Sequence, residues 1–291
     1  MQVVLHAGAH FTDDDRLLSC LTDNRDTLAR YGTNVPSPRK YRKLLRDTVH
    51  AALSTGVSDE SRDILIDAIA VDGAADRLVL ANPGFFGTPR MAPSGGVFYA
   101  AAEQRLGVVR QIFPRDTIEL FLAIRNPATF LPALLQDTDF ETLPDLLRGA
   151  DPMQMRWSEL IRRIRAAHPE ISIIVWCNED TPLTWAQLIR ELAGLDPTVA
   201  INGEFALLEE IMSAAGMKRF RAYLDQHPGM TEVQKRRVIA AFLDKFADES
   251  AIEEELEIPG WTEEMLDALS DLYDDDVHEI QRITGVQMIT P

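Results

Sequence analysis

The chain begins with residues whose types and spacing suit the binding of a phosphate group. The segment MQVVLHAGAHFTDDDRLLSCL runs from a short apolar stretch through a small-residue turn at Gly8 into an amphipathic stretch. A strand, a tight turn and a helix in this order can hold a phosphate, because the helix N-terminus offers free N–H groups and a favourable dipole. A phosphate-binding loop also supplies a lysine and hydroxyl residues, and here residues 11–15 read Phe-Thr-Asp-Asp-Asp.

Asp13, Asp14 and Asp15 have two interpretations. Aspartate is a preferred N-cap residue, so these carboxylates could cap the following helix and satisfy its dipole themselves. Alternatively, they could hold a metal ion, although consecutive aspartates do not have the spacing of a calcium-binding loop.

Arg125 is the second candidate for anion binding. In FLAIRNPATFLPALL, residues 121–135, it follows an apolar run and precedes a helix cap. Its guanidinium could bind a phosphate through two N–H groups. It could equally pair with a carboxylate and hold a loop in place, and the sequence leaves both interpretations open.

Candidates for a catalytic base are weak. The turn-rich segment ANPGFFGTPRM, residues 81–91, follows a strand pattern but offers no histidine or carboxylate. His6 and His10 flank the first loop, and we take them as weak catalytic candidates. A histidine without a visible partner or metal set is more often structural than catalytic.

The pattern of apolar residues predicts an α/β fold. Near-continuous apolar runs at residues 3–5, 78–80, 118–124 and 171–176 are typical of buried strands, and a last strand is expected at 286–290. Helical patterns occupy 15–30, 39–54, 58–70, 95–112 and 153–167. Strands that alternate with helices indicate a three-layer fold with a mostly parallel central sheet. Three pairs of an N-cap residue and a proline predict helix starts, namely Asn126-Pro127, Asp151-Pro152 and Thr181-Pro182.

The domain organisation follows from where strand signals stop. We expect an α/β core over residues 1–200 and an acidic helical extension over 201–291 that packs on it. Within the extension, the pattern predicts helices at 204–226, 231–247 and 262–284. The breaks between them are His227-Pro228-Gly229 and Ile258-Pro259-Gly260.

The net charge of −17 restricts the partners of the protein. Residues 244–280 hold fifteen acidic residues against Lys245 alone, so this segment carries most of the negative charge. Such a surface repels nucleic acid and anionic lipid, and we expect a solvated acidic face that could contact a protein partner. Without a membrane-spanning run or a secretory signal, and with only Cys20 and Cys177, the chain suits the cytoplasm. The sequence does not indicate an oligomeric state.

Several segments together resemble the bacterial sulfotransferase family. LHAGAHFT resembles the family's opening loop H-x-G-x-H-K-T-G-T-[ST], and NRDTLARYG resembles the segment that follows it. FLAIRNPATFL is similar to the Arg-Asn-Pro segment that binds the 3′-phosphate of the sulfuryl donor. IIVWCNEDTPLTWAQLIREL and DLYDDDVHEIQRITGVQMITP are similar to later elements of the family. The resemblance implies a P-loop-type fold and 3′-phosphoadenosine 5′-phosphosulfate as donor. The matching positions for this cofactor are Gly8, Ala9, His10, Thr12, Arg125 and Thr129.

The departures from the family pattern fall on the catalytic positions. The family's loop lysine aligns with Phe11, and the family's glycine and hydroxyl residues after it align with Asp13, Asp14 and Asp15. The family's catalytic base would fall near residues 82–87, which read Asn-Pro-Gly-Phe-Phe-Gly, and its second 3′-phosphate ligand aligns with Ala133. Loss of a charged donor from such a site typically costs a factor of ~10²–10³ in rate, and added carboxylates repel an anionic donor.

We therefore expect a sulfotransferase-like protein with a degenerate donor loop that acts as a non-catalytic binding or regulatory relative. The first rival is an active sulfotransferase with relocated groups. In that rival, His6 or His10 is the base and the positive charge comes from Arg16, Arg39, Lys40 or Arg42. The second rival is a metal hydrolase built on Asp13, Asp14 and Asp15.

Overall fold

The central element of the fold is a six-stranded sheet. The computed structural model describes residues 1–69, 75–252 and 261–291, and within these parts every neighbouring pair of strands is parallel. The strands are β1 (Gln2–His6), β2 (Thr33–Asn34), β3 (Arg77–Ala81), β4 (Thr117–Ile124), β5 (Ser172–Cys177) and β6 (Val286–Ile289). Their order across the sheet is β2-β3-β1-β4-β5-β6.

Successive strand residues pack into two separate apolar cores, one on each face of the sheet. In β4, Leu120 and Leu122 belong to one core, whereas Phe121 and Ala123 belong to the other. Because both faces are covered, the strands read as continuous apolar runs rather than as alternating ones. The predicted three-layer α/β class is confirmed.

Helices cover both faces of the sheet. They are α1 (Arg16–Asp23), α2 (Arg25–Arg30), α3 (Pro38–Thr55), α4 (Ser61–Ile69), α5 (Ala102–Ile112), α6 (Pro127–Gln136), α7 (Leu143–Leu147), α8 (Trp157–Ala167), α9 (Thr181–Ala193), α10 (Ala206–Ile211), α11 (Ala214–Gln226), α12 (Glu232–Phe246), α13 (Glu249–Ile252) and α14 (Glu263–Gln281). Helices α3 to α8 and α14 build the first core, and α1, α2 and α9 build the second. Helices α10 to α12 enclose a third, smaller cluster.

Three helical segments differ from the sequence prediction for local reasons. The predicted helix over 15–30 is interrupted because the Asn24 side chain donates to the Cys20 carbonyl and binds the backbone of Asn202. The helix over 204–226 is divided because Ser213 starts a new helix by accepting the Gly216 N–H. Helix α5 begins seven residues late because Gly95, Gly96 and Tyr99 have positive φ. The two-residue strand β2 was not predicted, since it has no apolar run.

The predicted helix caps are confirmed at two of three sites. The Asn126 side chain accepts the Ala128 N–H at the start of α6, and Asp151 accepts the Met153 N–H in a 3₁₀ turn. This turn is separate from α8, which begins at Trp157 and not at the predicted residue 153. The prediction for Thr181 is wrong by one residue, because Thr181 is the first residue of α9 and Asp180 precedes it as the cap position.

The C-terminal residues are part of the layered structure. Strand β6 forms one edge of the sheet, and the buried face of α14 carries Leu269, Tyr273, Asp276 and Ile280. Asp276 caps α8 by accepting the N–H groups of Trp157 at 2.6 Å and Ser158 at 3.1 Å. The opposite face of α14 is acidic and exposed, as the periodicity predicts. The break predicted at residues 258–260 and the acidic residues 253–255 and 257 lie outside the described residues.

Candidate functional site

The strand order places a crevice at the carboxyl end of β1. The chain builds β2 and β3 on one side of β1 and then crosses to build β4, β5 and β6 on the other. Ligands of open α/β sheets bind where the strand order reverses in this way. The loop after β1, residues 7–15, and the turn after β4, which contains Arg125, both lie at this point. The structure therefore brings the two sequence-predicted anion-binding segments together.

The first part of the β1 loop continues the sheet. The N–H groups of Ala7 and Ala9 donate to the carbonyls of Phe121 and Ala123, at 3.0 and 2.7 Å. Gly8 lies between them with φ +93°, and a Cβ there would lie 3.0 Å from the Pro83 carbonyl oxygen. Glycine is required at this position by both its backbone conformation and the close approach of the neighbouring loop.

Asp13 occupies the place of an anion at the N-terminus of α1. Its Oδ2 accepts the Leu17 N–H at 3.2 Å, and the residue is buried. A free N–H of the first helical turn, the group that would bind a phosphate, is thus satisfied by a carboxylate of the chain itself. This arrangement corresponds to the capping interpretation.

The other two aspartates point to different partners. Asp15 accepts two hydrogen bonds from the guanidinium of Arg42, at 2.7 and 2.5 Å, and Asp14 accepts one from Arg16 at 3.1 Å. The three carboxylates therefore do not converge on a common point. In the parts of the chain that the structure describes, no group of three His, Cys, Asp or Glu side chains is arranged to hold a metal ion.

The arginines and the lysine of the active-enzyme rival lie in three environments. Arg42 is bound by Asp15 and also donates to the Ala81 carbonyl at 2.8 Å. Arg16 lines the crevice, where it donates to Glu210 at 2.7 Å and to Asp14. Arg39 and Lys40 are exposed on α3. The charges of Arg16 and Arg42 are thus already balanced by carboxylates.

Arg125 connects the two loops of the crevice. It is only 4% exposed, its Nη1 donates to the Phe11 carbonyl at 2.7 Å, and its Nε donates to Thr129 Oγ1 at 3.0 Å. The arginine therefore holds the backbone of the loop after β1 at Phe11. Thr129, in the first turn of α6, was predicted as a ligand of the 3′-phosphate, and in the structure its hydroxyl accepts a hydrogen bond from this arginine.

His10 is tied to Tyr99. Its Nδ1 lies 2.7 Å from the Tyr99 hydroxyl, which also accepts the His10 backbone N–H at 3.1 Å. Burial lowers the pKa of His10, against a smaller upward effect of the Gly87 carbonyl and the Asp137 carboxylate. Burial also favours the neutral form of Tyr99 and therefore raises the pKa of its hydroxyl. His10 is therefore a neutral, structurally engaged side chain at neutral pH.

His6 lies at the end of β1 and is 2% exposed. Its ring packs against Trp176 with 5.6 Å between the ring centroids, and its Nε2 has no hydrogen-bond partner within the described structure. The loop after β3, where the family's base would fall, carries Phe85 and Phe86 into the first core. The crevice thus gains no acid or base from residues 82–87.

A cavity of about 510 Å³ extends from this crevice. The polar part of its lining comes from three segments. The loop after β1 and the start of α1 contribute Thr12, Asp13 and Arg16. The turn after β4 and the start of α6 contribute Arg125 and Thr129, and the segment after β5 contributes Asn178, Glu179 and Thr181. Six apolar residues of the described chain form the rest of its wall, namely Pro182, Trp185, Leu207, Ile211, Leu243 and Ala251. The predicted residues Gly8, Ala9, His6 and His10 are not among the lining residues.

Three supporting residues escaped the sequence analysis. The Trp157 indole N–H donates to the Arg125 carbonyl at 2.9 Å, and Glu179 Oε1 accepts the Asn126 N–H at 2.8 Å. Tyr273 of α14 donates to the other oxygen of Glu179 at 3.0 Å. These residues are far from Arg125 in sequence, and nothing in their local pattern indicates that they meet at the end of β4.

Replacing Asp13 by alanine is expected to lower the free energy of unfolding by about 1 kcal/mol, because the first turn of α1 loses its cap. Asp14→Asn is the matched control, since Asp14 is exposed and asparagine tolerates its φ of 46°, and it should change stability by less than about 0.5 kcal/mol. Urea unfolding measures both. Equal effects of the two substitutions would contradict the capping role of Asp13.

The lowered pKa of His10 predicts a pH dependence. The unfolded chain takes up a proton near pH ~6.5, whereas the buried ring resists it, so the stability contribution is present above this pH and decreases below it. Between about pH 7.5 and about pH 5.5, the protein should lose more stability than its His10→Gln variant. An identical loss in both proteins, measured by urea unfolding, would show that His10 does not titrate in this way.

Comparisons with known proteins assign no family to this site. No family model matches the chain, and no curated protein matches it. None of the helices in the described residues has the length and apolar character needed to cross a membrane. The function therefore has to be argued from the geometry of the crevice.

Proposed function

We propose that this chain is a sulfotransferase-like protein whose donor loop is closed by its own side chains, and that it acts as a non-catalytic binding or regulatory protein. The observation that carries the proposal is the hydrogen bond from the Leu17 N–H to Asp13, which puts a carboxylate where a donor phosphate would bind. A phosphosulfate at this position would meet the negative charge of Asp13 in a buried environment.

Two further contacts support loss of sulfuryl transfer. Arg125, the matched residue of the 3′-phosphate segment, donates to the Phe11 carbonyl and to Thr129. His10, in the loop after β1, is bound to Tyr99, and burial lowers its pKa and keeps it neutral. Transfer of a sulfuryl group requires positive charge at the bridging oxygens and a base at the acceptor, and neither is present in a free form among these groups.

The active-enzyme alternative depends on rearrangement of paired charges. Arg16 is the residue that favours it most, because it lines the cavity and its side chain is 42% exposed. For this alternative, the Arg16 guanidinium would have to leave Glu210 and Asp14 and turn toward the donor. Two ion pairs would then be lost, and the binding free energy of the donor would have to exceed the free energy lost with them.

We also propose a cytoplasmic location and a protein partner for the acidic face of α14. The exposed acidic residues on this helix are Glu263, Glu264, Asp267, Asp271, Asp274, Asp275 and Glu279. A partner with a basic surface would complement them, and nucleic acid and anionic membranes would be repelled. Cys20 and Cys177 are buried free thiols, which is consistent with a reducing compartment.

A sulfuryl-transfer assay tests the loss of catalysis. The protein is incubated with 3′-phosphoadenosine 5′-phosphosulfate and a phenol acceptor, and release of the bisphosphate product is followed with the Arg125→Ala variant as control. We expect no product release above that of the buffer in either protein. Product release that depends on the protein and disappears in Arg125→Ala would refute the proposal.

A further inference from the structure

The cavity beside the closed loop is large enough for a small molecule. Its volume of about 510 Å³ lies within the range of ~300–1,000 Å³ that is usual for small-molecule sites. It lies at the carboxyl ends of β1, β4 and β5. The starts of α1, α6 and α9 border it on the side of the sheet, and helices α10 and α12 border it on the opposite side. The helices of the third apolar cluster thus cover the crevice of the sheet.

Among the described residues, the charged side chains that line the cavity are two acids, Asp13 and Glu179, and two bases, Arg16 and Arg125. Asp13 accepts the Leu17 N–H, and both oxygens of Glu179 are bound, by the Asn126 N–H and the Tyr273 hydroxyl. Hydrogen bonds to other parts of the chain also engage both arginines, as described above. A charged ligand would therefore compete with contacts that already exist.

The apolar wall offers a surface without polar groups that need a partner. Trp185 is 3% exposed, and its indole N–H donates to the Gly203 carbonyl at 2.9 Å, so its ring presents carbon atoms to the cavity. Leu207, Ile211 and Leu243 extend this surface from α10 and α12. Burial of apolar ligand surface against such a wall is favourable at about 25 cal/mol per Å².

The polar part of the cavity can supply a small number of hydrogen bonds. The Thr12 hydroxyl donates to the Ala9 carbonyl at 2.9 Å and keeps lone pairs for an incoming donor. The Thr181 hydroxyl accepts the Trp176 indole N–H at 3.3 Å and can donate to an incoming acceptor. Asn178 lines the same side. These groups can orient a ligand that carries one or two hydrogen-bonding atoms.

We propose that this cavity binds an uncharged, mainly apolar small molecule with one or two hydrogen-bonding groups. The inference rests on the proposed function, since it takes the donor loop to be closed to the nucleotide. A neutral ligand avoids repulsion by two carboxylates and leaves the hydrogen bonds of both arginines intact. An anion that pairs with either arginine would have to displace those bonds, and its desolvation would add to the cost.

A matched pair of fluorescent probes tests the ligand class. N-phenyl-1-naphthylamine is uncharged, and 8-anilinonaphthalene-1-sulfonate has the same ring skeleton with one sulfonate added. Both are titrated against the full chain. We expect saturable binding of the neutral probe, tighter than that of the sulfonate by about tenfold or more.

Two substitutions on the apolar wall locate the binding. Ile211→Trp and Leu207→Trp each fill part of the cavity, and each should weaken the neutral probe by about tenfold or more. Val233→Trp is the matched control, because Val233 is 55% exposed on α12 and does not line the cavity. The two wall variants are independent, so one that fails to fold leaves the other to decide.

A competition experiment separates this inference from the proposed function. Addition of 3′-phosphoadenosine 5′-phosphate should leave the bound neutral probe in place. Displacement of the probe by this nucleotide would overturn the closed-loop proposal and the inference with it. Lack of saturable neutral-probe binding, equal affinity for the sulfonate, or full affinity in both wall variants would overturn the inference alone.

Discussion

Replacing Trp157 by alanine is expected to lower the free energy of unfolding by about 3–5 kcal/mol. The side chain is completely buried, and its ring stacks on Phe98 with 4.0 Å between the centroids and packs against Phe130 at 5.2 Å. Its indole N–H also donates to the Arg125 carbonyl, so the substitution leaves both a cavity and an unsatisfied acceptor. Denaturant unfolding measures the loss.

Trp157→Phe is the control for this prediction. Phenylalanine keeps an aromatic ring against Phe98 but removes the hydrogen bond to Arg125, and it should cost about 1–2 kcal/mol. A loss of less than about 1 kcal/mol for Trp157→Ala would contradict the role of this tryptophan as the support of the β4 turn.

Replacing Arg125 by alanine is expected to lower the free energy of unfolding of the ligand-free protein by about 2–4 kcal/mol, because charged donors to the Phe11 carbonyl and Thr129 are lost in a buried environment. An arginine kept only to receive an anion would have the opposite signature, since its removal would relieve a buried charge. Denaturant unfolding in phosphate-free buffer distinguishes the two.

Two substitutions control the Arg125 experiment. Thr129→Ala removes one of the hydrogen bonds and should cost about 1 kcal/mol. Arg125→Lys keeps the charge but not the planar guanidinium that donates to two partners. Its free energy of unfolding should lie between those of the wild type and the alanine variant. Stability of Arg125→Ala within about 0.5 kcal/mol of the wild type would show that this residue does not hold the crevice together.

The sheet was predictable because its signals are local and strong. Long apolar runs predicted β4 and β5, and the Asn126-Pro127 pair predicted the start of α6 to the residue. The strand β2 was not predictable, because two residues, Thr33 and Asn34, pair with β3 without any apolar pattern. Likewise, α1 ends at Asp23 because the next residue, Asn24, binds the backbone of Asn202, which lies 178 residues away in the chain.

The residues of the candidate site were predictable from the sequence, but their hydrogen-bond partners were not. The sequence places Gly8, the aspartates and Arg125 at strand ends, and the sheet then brings them to one crevice. It left open whether Asp13 caps a helix and whether Arg125 binds an anion or a loop. In the structure, Asp13 accepts the Leu17 N–H and Arg125 donates to the Phe11 carbonyl. Such contacts depend on the packed backbone rather than on residue type.

The apolar wall of the cavity could not be predicted from the sequence, because its residues come from separate helices. Trp185 belongs to α9, whereas Leu207, Ile211 and Leu243 belong to helices that a sequence pattern describes only as amphipathic. An amphipathic pattern identifies the buried face of a helix but does not say what that face covers. Here part of it covers a crevice of the sheet.

The measurement that tests the central claim most directly is a calorimetric titration with 3′-phosphoadenosine 5′-phosphate, the product form of the donor. The variant Phe11→Lys/Asp13→Gly introduces the lysine that the loop of bacterial sulfotransferases carries, and it removes the carboxylate that binds Leu17. The account predicts no binding to the wild type at millimolar nucleotide and measurable binding to the variant. Micromolar binding to the wild type that Arg125→Ala abolishes would contradict the claim that the chain's own side chains have closed the donor loop.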